Sequence, residues 1–381
     1  IGYFCIVIPE VSLCITLFVV YSHISQFFGH LFLPMVIITL ASLALYKLYK
    51  GELSISYLPI NKFIFLFVLT ILLSSFGTQD WGRAAYDLSF FLKSLVLFFL
   101  IVNIVKDEKT IISLIKMVVI ATLFGSIIAL YQFSGATRIF LFSGRTGSIL
   151  GDPNFFASML VSILPFSIFL LKKEKNIYSK MFWGISTLIL LFSIVPTFSR
   201  GGIIGLVIIL SLIFIHERRN KYIWLFLPLV FLIFVALVPY DFWLRALTLL
   251  NATSDLSIYH RLNIVLSGIK VFSHHPIIGV GIGDYINSTS RYITDPMVAH
   301  NMYLHVFVET GIIGGTLFLF ILGSVIRGTH RLKQRSELST YMEISLIGLF
   351  VTAIFLSIHF HFWVWTLLGI VSAFLKVKNQ W

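Results

Sequence analysis

The sequence predicts an all-α polytopic membrane protein of about 12 transmembrane helices, with one large external loop carrying an amphipathic interfacial helix. Three observations lead there. Of 381 residues, 58% are hydrophobic and only 12% charged, against roughly a quarter charged in a soluble domain. The mean hydropathy is +0.97. The apolar residues also gather into segments of bilayer-crossing length. Soluble enzyme, secreted disulfide scaffold and nucleic-acid binder are excluded together. The formal charge of +12 then reads as basic loops that hold topology, with no nucleic-acid partner. Cys5 and Cys14 share one apolar stretch and suit neither a disulfide framework nor a metal site.

The segments run at about 3–21, 31–46, 60–76, 86–105, 111–133, 153–171, 181–197, 201–215, 222–239, 302–326, 341–357 and 360–375, one integral membrane domain over 1–381. Pro9 and Glu10 interrupt the first, and Ser357, His359 and His361 split the last two. The chain begins at Ile1, so a few preceding residues are expected to be missing, and no segment reads as a cleaved signal peptide. With both termini in the cytoplasm, 18 of the 28 Lys and Arg fall in inner loops and eight outside. Lys93 and Lys116 lie within spans. Thirteen of the inner 18 are Lys, whereas seven of the outer eight are Arg: Arg83, Arg138, Arg145, Arg200, Arg245, Arg261 and Arg291. Arg presents a planar fork suited to phosphate oxygens, so the outer surface is expected to recognise phosphate.

The large external loop spans about 240–301. In it Ile258, Leu262, Val265, Leu266, Ile269 and Phe272 recur at helical spacing, which predicts a helix lying on the membrane and ending near His275-Pro276. Asn251 and Ser257 flank its start. Gly279, Gly281 and Gly283 alternate as in a dinucleotide loop, but no strand precedes them, and a flexible turn against the membrane core is expected. Nucleotide-hydrolase, zinc-peptidase, redox and α/β-hydrolase motifs do not occur. The intramembrane acids Glu10, Asp87, Glu309 and Glu343 are few, and ionisable residues are expected at the outer ends of spans. That weakens a transporter reading, which needs an ionisable site at the midplane.

Three places could carry chemistry. Arg200 sits in the outer turn Thr197-Phe198-Ser199-Arg200-Gly201-Gly202, beside backbone left accessible by two glycines. Arg261 lies near the start of the interfacial helix. His300 stands where the loop enters the tenth span, followed by Glu309, Gly311, Gly314 and Gly315 on a small-residue face. Two arginines can neutralise a lipid-linked diphosphate as it leaves, and a histidine can take the proton of an incoming sugar hydroxyl. Taken singly, each Arg reads equally as an interfacial anchor and the His as a hydrogen-bonded span end.

The stretch His274–Gly315 is similar to the O-antigen ligase and polysaccharide polymerase superfamily. It reads His-His-Pro-Ile-Ile-Gly-Val-Gly-Ile-Gly-Asp-Tyr, then His-Asn-Met-Tyr-Leu, then Glu-Thr-Gly-Ile-Ile-Gly-Gly. Tyr285 stands where the family more often has Phe. Asp152-Pro153-Asn154-Phe155-Phe156-Ala157 and Ser199-Arg200-Gly201 resemble two further elements. The resemblance implies inverting, metal-independent glycosyl transfer without a cofactor. The donor would be an undecaprenyl-diphosphate-linked glycan and the acceptor a saccharide hydroxyl. The setting would be the outer face of the bacterial cytoplasmic membrane.

By the same resemblance His300 is the general base, and Arg200 and Arg261 clamp the diphosphate. Arg145 is a further phosphate or sugar contact. Asn301, Tyr303 and Glu309 position the His and the loop. Asp152, Asn154 and Asp284 bind sugar hydroxyls or serve as helix caps. His274 and His275 do not read as metal ligands, and Arg138 and Arg291 read as interfacial. His359 and His361 line an acceptor cleft or belong to an interfacial aromatic group. Polymerase is slightly favoured over ligase, because the Lys-, Ile- and Phe-heavy composition resembles that of low-GC Gram-positive proteins. An O-linked protein glycosyltransferase and a lipid-linked oligosaccharide flippase are the alternatives. The lipid bilayer is a partner throughout, and the reading leaves room for association with other polysaccharide assembly proteins.

Overall fold

A computed structural model describes residues 8–24, 31–51, 54–134, 141–142, 145–219, 240 and 256–381. Nine helices among the described residues are long and apolar enough to cross a membrane, and two shorter apolar helices accompany them. These eleven match eleven of the twelve expected segments. The twelfth, at 222–239, lies outside the described residues, as do Cys5, Arg138, Arg245 and Asn251. The protein is an all-α polytopic membrane protein.

The elements in chain order are α1 Pro9–Ser22, α2 Phe32–Lys50, α3 Pro59–Ser74, α4 Trp81–Ile104 and α5 Glu108–Phe133. The strands β1 Leu141–Phe142 and β2 Arg145–Thr146 follow, then α6 Pro153–Lys173, α7 Ile177–Phe192 and α8 Arg200–Glu217. The chain ends with α9 Leu256–His274, α10 Tyr285–Thr289, α11 Met302–Leu332, α12 Glu337–Thr352 and α13 Phe362–Val377. Ile8 is extended and α1 starts at Pro9, so Pro9 and Glu10 form its first turn. Proline's fixed φ and missing N–H suit the first helical position.

α6 and α12 form the centre, with 78% and 72% of their apolar windows buried, whereas α2 is only 17% buried and turns its side chains outward. Small and hydroxylated residues let the central helices approach closely. Ser158 Oγ and Thr352 Oγ1 stand 2.6 Å apart, and Ser345 donates to the Ser162 carbonyl. A Cβ on Gly205 of α8 would meet the Thr352 methyl at 2.6 Å. The same device joins α1 to α2, where Thr39 Oγ1 lies 2.8 Å from Ser12 Oγ and 2.7 Å from Thr16 Oγ1.

Charge sits at the helix end opposite the arginines described below. Lys172 pairs with Glu217 and Glu337, and Glu343 with His330 at 2.8 Å and Lys333 at 3.4 Å. Glu10 lines a hollow with Lys47, Lys106 and Lys376. Glu10 and Glu343 thus depart from the expected outer-end placement, because the basic residues able to neutralise them lie at the other ends of α2, α11 and α13.

The glycine turn is also a correction. Val280 through Tyr285 are buried, and the turn is wedged against a break in α11. There Gly311 adopts φ 66° and ψ −168°. A Cβ on it would lie 2.1 Å from the Ile277 carbonyl oxygen, so only glycine fits. Freed backbone groups are recovered across the break: Val280 N–H donates to Val308, Gly281 N–H to Glu309 and Ile312 N–H to Pro276. A flexible turn would leave those groups unsatisfied in a nonpolar setting.

Candidate active site

Four loops meet at one end of the bundle. The segment after α5 is tied down where Thr146 Oγ1 donates to Gln132 Oε1 and Ser148 N–H to Thr146 Oγ1. That fixes Arg145 on β2. Its Nε donates to the Thr197 carbonyl at 2.8 Å and its Nη2 to Asn154 Oδ1 at 2.9 Å. Arg145 therefore joins the start of α6 to the turn that carries Arg200. Asp152 caps α6, accepting from the Asn154 and Phe155 N–H groups at 2.7 and 3.1 Å.

The Arg200 turn is built by local rules. Phe198 takes φ 47°, and Ser199 caps α8 by accepting from Gly202 N–H at 3.2 Å. Arg200 is then the first residue of α8, at the positive end of its dipole. The glycines behind it do not expose backbone, as the sequence suggested. A Cβ on Gly202 would meet Ala157 Cβ at 2.7 Å, so they allow α8 to press against α6.

One open cleft gathers Arg145, Asn154, Arg200 and Arg261, with Phe355 and Leu356 as an apolar wall. Arg261 reaches it from α9. Ile264, Gly268 and Val271 of that helix are buried, whereas Tyr259, Leu262, Leu266 and Ile269 stand exposed on its other side. The helix expected at 258–272 is present, but its apolar residues divide between a protein face and an outward face. The side chains of Ser257 and Ile258 lie outside those described.

His300 adopts φ 45° immediately before α11. Asn301 caps that helix, its Oδ1 accepting from Leu304 N–H at 2.9 Å, and Tyr303 OH donates to the Phe350 carbonyl at 2.8 Å. Burial pushes the His300 imidazole down to about 4, with Arg261 adding to the effect and Asp152 opposing it. The ring is neutral at ordinary pH and can accept a proton.

Glu309 lies deeper, 1% exposed. Its Oε1 accepts from Gly283 N–H at 2.9 Å and Tyr285 N–H at 3.4 Å, and meets His305 Nε2 at 3.0 Å. It holds the glycine turn and has no opening to the cleft. Tyr285 OH donates to the Ile264 carbonyl at 3.0 Å, a use for the hydroxyl that Phe would lack. Asp284 is buried and engaged by Gln79 N–H at 3.1 Å and Ser288 Oγ at 2.7 Å. Arg291, His274 and His275 are exposed.

Neither His359 nor His361 lines the cleft. His361 is packed among Phe90, Phe155 and Trp363, with ring centroids 5.3, 4.7 and 4.4 Å away. The His359 and His305 rings meet with centroids 4.5 Å apart, tilted by 51°. The sequence reading passed over Phe355 and Leu356, which carry no motif, and His305, whose spacing of four from Glu309 was a visible signal.

Residues 185–319 match a family model described as O-antigen ligase. This part of the chain is similar to the O-antigen ligase family. The matched part is about a third of the sequence. It holds Arg200, Arg261, His300 and Glu309 but not Arg145, Asp152 or Asn154, which come to the O-antigen ligase segment only through folding. No curated protein matches the chain. The match supports a glycosyltransferase-like reading of the O-antigen ligase type for this segment.

Proposed function

We propose that the protein transfers a glycan from an undecaprenyl-diphosphate-linked donor to a sugar hydroxyl, at the outer face of the bacterial cytoplasmic membrane. The observation that supports this most is the cleft: Arg145, Arg200 and Arg261 converge there, and burial, with Arg261 adding to it, keeps the His300 imidazole neutral. In this reading both termini are cytoplasmic and the cleft faces outward.

His300 accepts the proton of the acceptor hydroxyl. The oxygen attacks the anomeric carbon as the bond to the diphosphate breaks, and undecaprenyl diphosphate leaves with the electron pair. Arg200 and Arg261, aided by the α8 dipole, neutralise its developing charge. One displacement inverts the anomeric centre. Charge supplied by arginine does the work that a divalent ion does elsewhere, so the reaction is metal-independent. Arg145 and Asn154 hold the Arg200 turn, while Asp152, Asn301, Tyr303 and Glu309 position helix ends and loop around His300.

The bound diphosphate would offset Arg261 and raise the basicity of His300 where it is needed. Polymerisation is the favoured activity, in keeping with the Lys-, Ile- and Phe-rich composition. The test is purified protein with an undecaprenyl-diphosphate oligosaccharide, resolved on a gel. A ladder of lengthening lipid-linked glycans is expected, absent with His300→Ala. Transfer only to a separately supplied acceptor would make it a ligase. Near wild-type transfer by His300→Ala would overturn the base assignment.

A further inference from the structure

Behind the cleft, two histidines and a carboxylate form a group the reaction leaves unused as chemistry. His305 and Glu309 are four residues apart and share a face of α11. His359 reaches them from the turn between α12 and α13. One possible ligand atom from each lies within 4.8 Å of the other two. All three residues are buried, at 7%, 1% and 4% exposure respectively. Glu309 is aimed by the Gly283 and Tyr285 N–H groups. His305 and His359 each retain a buried Nδ1 with no hydrogen-bond partner among the described residues.

We propose that His305, Glu309 and His359 bind a divalent transition-metal ion, zinc by preference, which ties α11, the glycine turn and the 356–361 turn together. Two imidazoles and one carboxylate are a zinc donor set, and three protein ligands leave a fourth position for water. Tetrahedral ligands about 2.0–2.2 Å from zinc stand roughly 3.4 Å apart, so side-chain adjustments of about an ångström close the group around an ion.

The electrostatics favour a cation. Glu309 is buried and its ion-pair partner among the described residues is His305, 3.0 Å away, and buried carboxylates are retained where a positive charge meets them. A second triple, His216, Glu217 and Glu337, differs decisively, because Lys172 already meets both carboxylates there. None of the three proposed ligands lines the cleft, so the ion acts on structure and the proposal does not rest on the transfer reaction.

The test uses the full chain, purified in detergent, stripped with chelator and reloaded with zinc. Elemental analysis should find about one zinc per chain in the wild type and under roughly a tenth of that in His359→Ala and His305→Ala. Cobalt reloading should give visible tetrahedral d–d bands in the wild type and in His274→Ala, but not in His359→Ala. The wild-type melting midpoint should rise with zinc while that of His359→Ala stays put. Another first-row ion at the same stoichiometry, lost in His359→Ala, would keep the site and overturn the zinc preference. A wild type that takes up no ion above background, or variants that bind as much as wild type, would overturn the proposal whatever the variants' folding.

Discussion

The contact between Arg145 and Asn154 can be tested with a double-mutant cycle. Asn154→Ala removes one charge-assisted hydrogen bond, made at 2.9 Å and worth about 1.5–3 kcal/mol. Expressed fully in the transition state, that loss lowers kcat/KM about 10- to 150-fold. The site is only partly buried, which places the expectation in the lower half of that range. Arg145→Lys keeps the charge but not the fork that reaches both Asn154 Oδ1 and the Thr197 carbonyl, so its loss should be at least as large. If the pair acts as one strut under the Arg200 turn, the double variant should be worse than Arg145→Lys by no more than about threefold. The assay is transfer from an undecaprenyl-diphosphate oligosaccharide at several donor concentrations. Losses that multiply to within about twofold would show independent sites and refute the strut, as would an Asn154→Ala protein at full rate.

Three further outcomes are expected. The pH profile of kcat/KM should stay flat through neutrality and fall only as pH drops towards about 4, where His300 gains its proton. Arg261→Gln removes a charge that disfavours protonation, so the acid limb should move to higher pH, and a limb that stayed or moved lower would contradict the assigned cause. Gly311→Ala should cost at least about 3 kcal/mol through strain and overlap, seen as loss of monodisperse protein, whereas Gly323→Ala, with open space around it, should behave as wild type. Tyr285→Phe should lower stability by about 0.5–1.5 kcal/mol in thermal unfolding while transfer continues, and complete inactivation would mean the hydroxyl does more than hold Ile264.

The spans were legible because a bilayer imposes length and apolarity on any helix that crosses it, and eleven of the apolar segments are helices in the described residues. Of the expected site residues, Arg145, Asn154, Arg200 and Arg261 come from three separate stretches and line one opening, whereas His300 stands outside its lining. What sequence could not supply was the third dimension around them. Phe355 and Leu356 are ordinary span-end residues until α12 delivers them to the cleft. Three alternate glycines suggest looseness, yet their positive φ values, 76°, 105° and 77°, are what let the turn fit against other backbone. His305 and His359 are far apart in sequence, and only the return of the chain after α12 brings their rings together.

The crossed bonds around Gly311 have a consequence for how the external loop can diversify. Residues 276–281 and 308–312 are stitched to each other by main-chain groups, and the Glu309 side chain and Gly311 complete the seam, so it is intolerant of any change in length. Between them, Asn287, Ser290, Arg291, Tyr292 and Thr294 are exposed and outside the stitching. The loop is thus a fixed rim with a free brim, and a polymerase or ligase could exchange acceptor preference by lengthening the brim alone, without re-tailoring the seam that holds His300 in place.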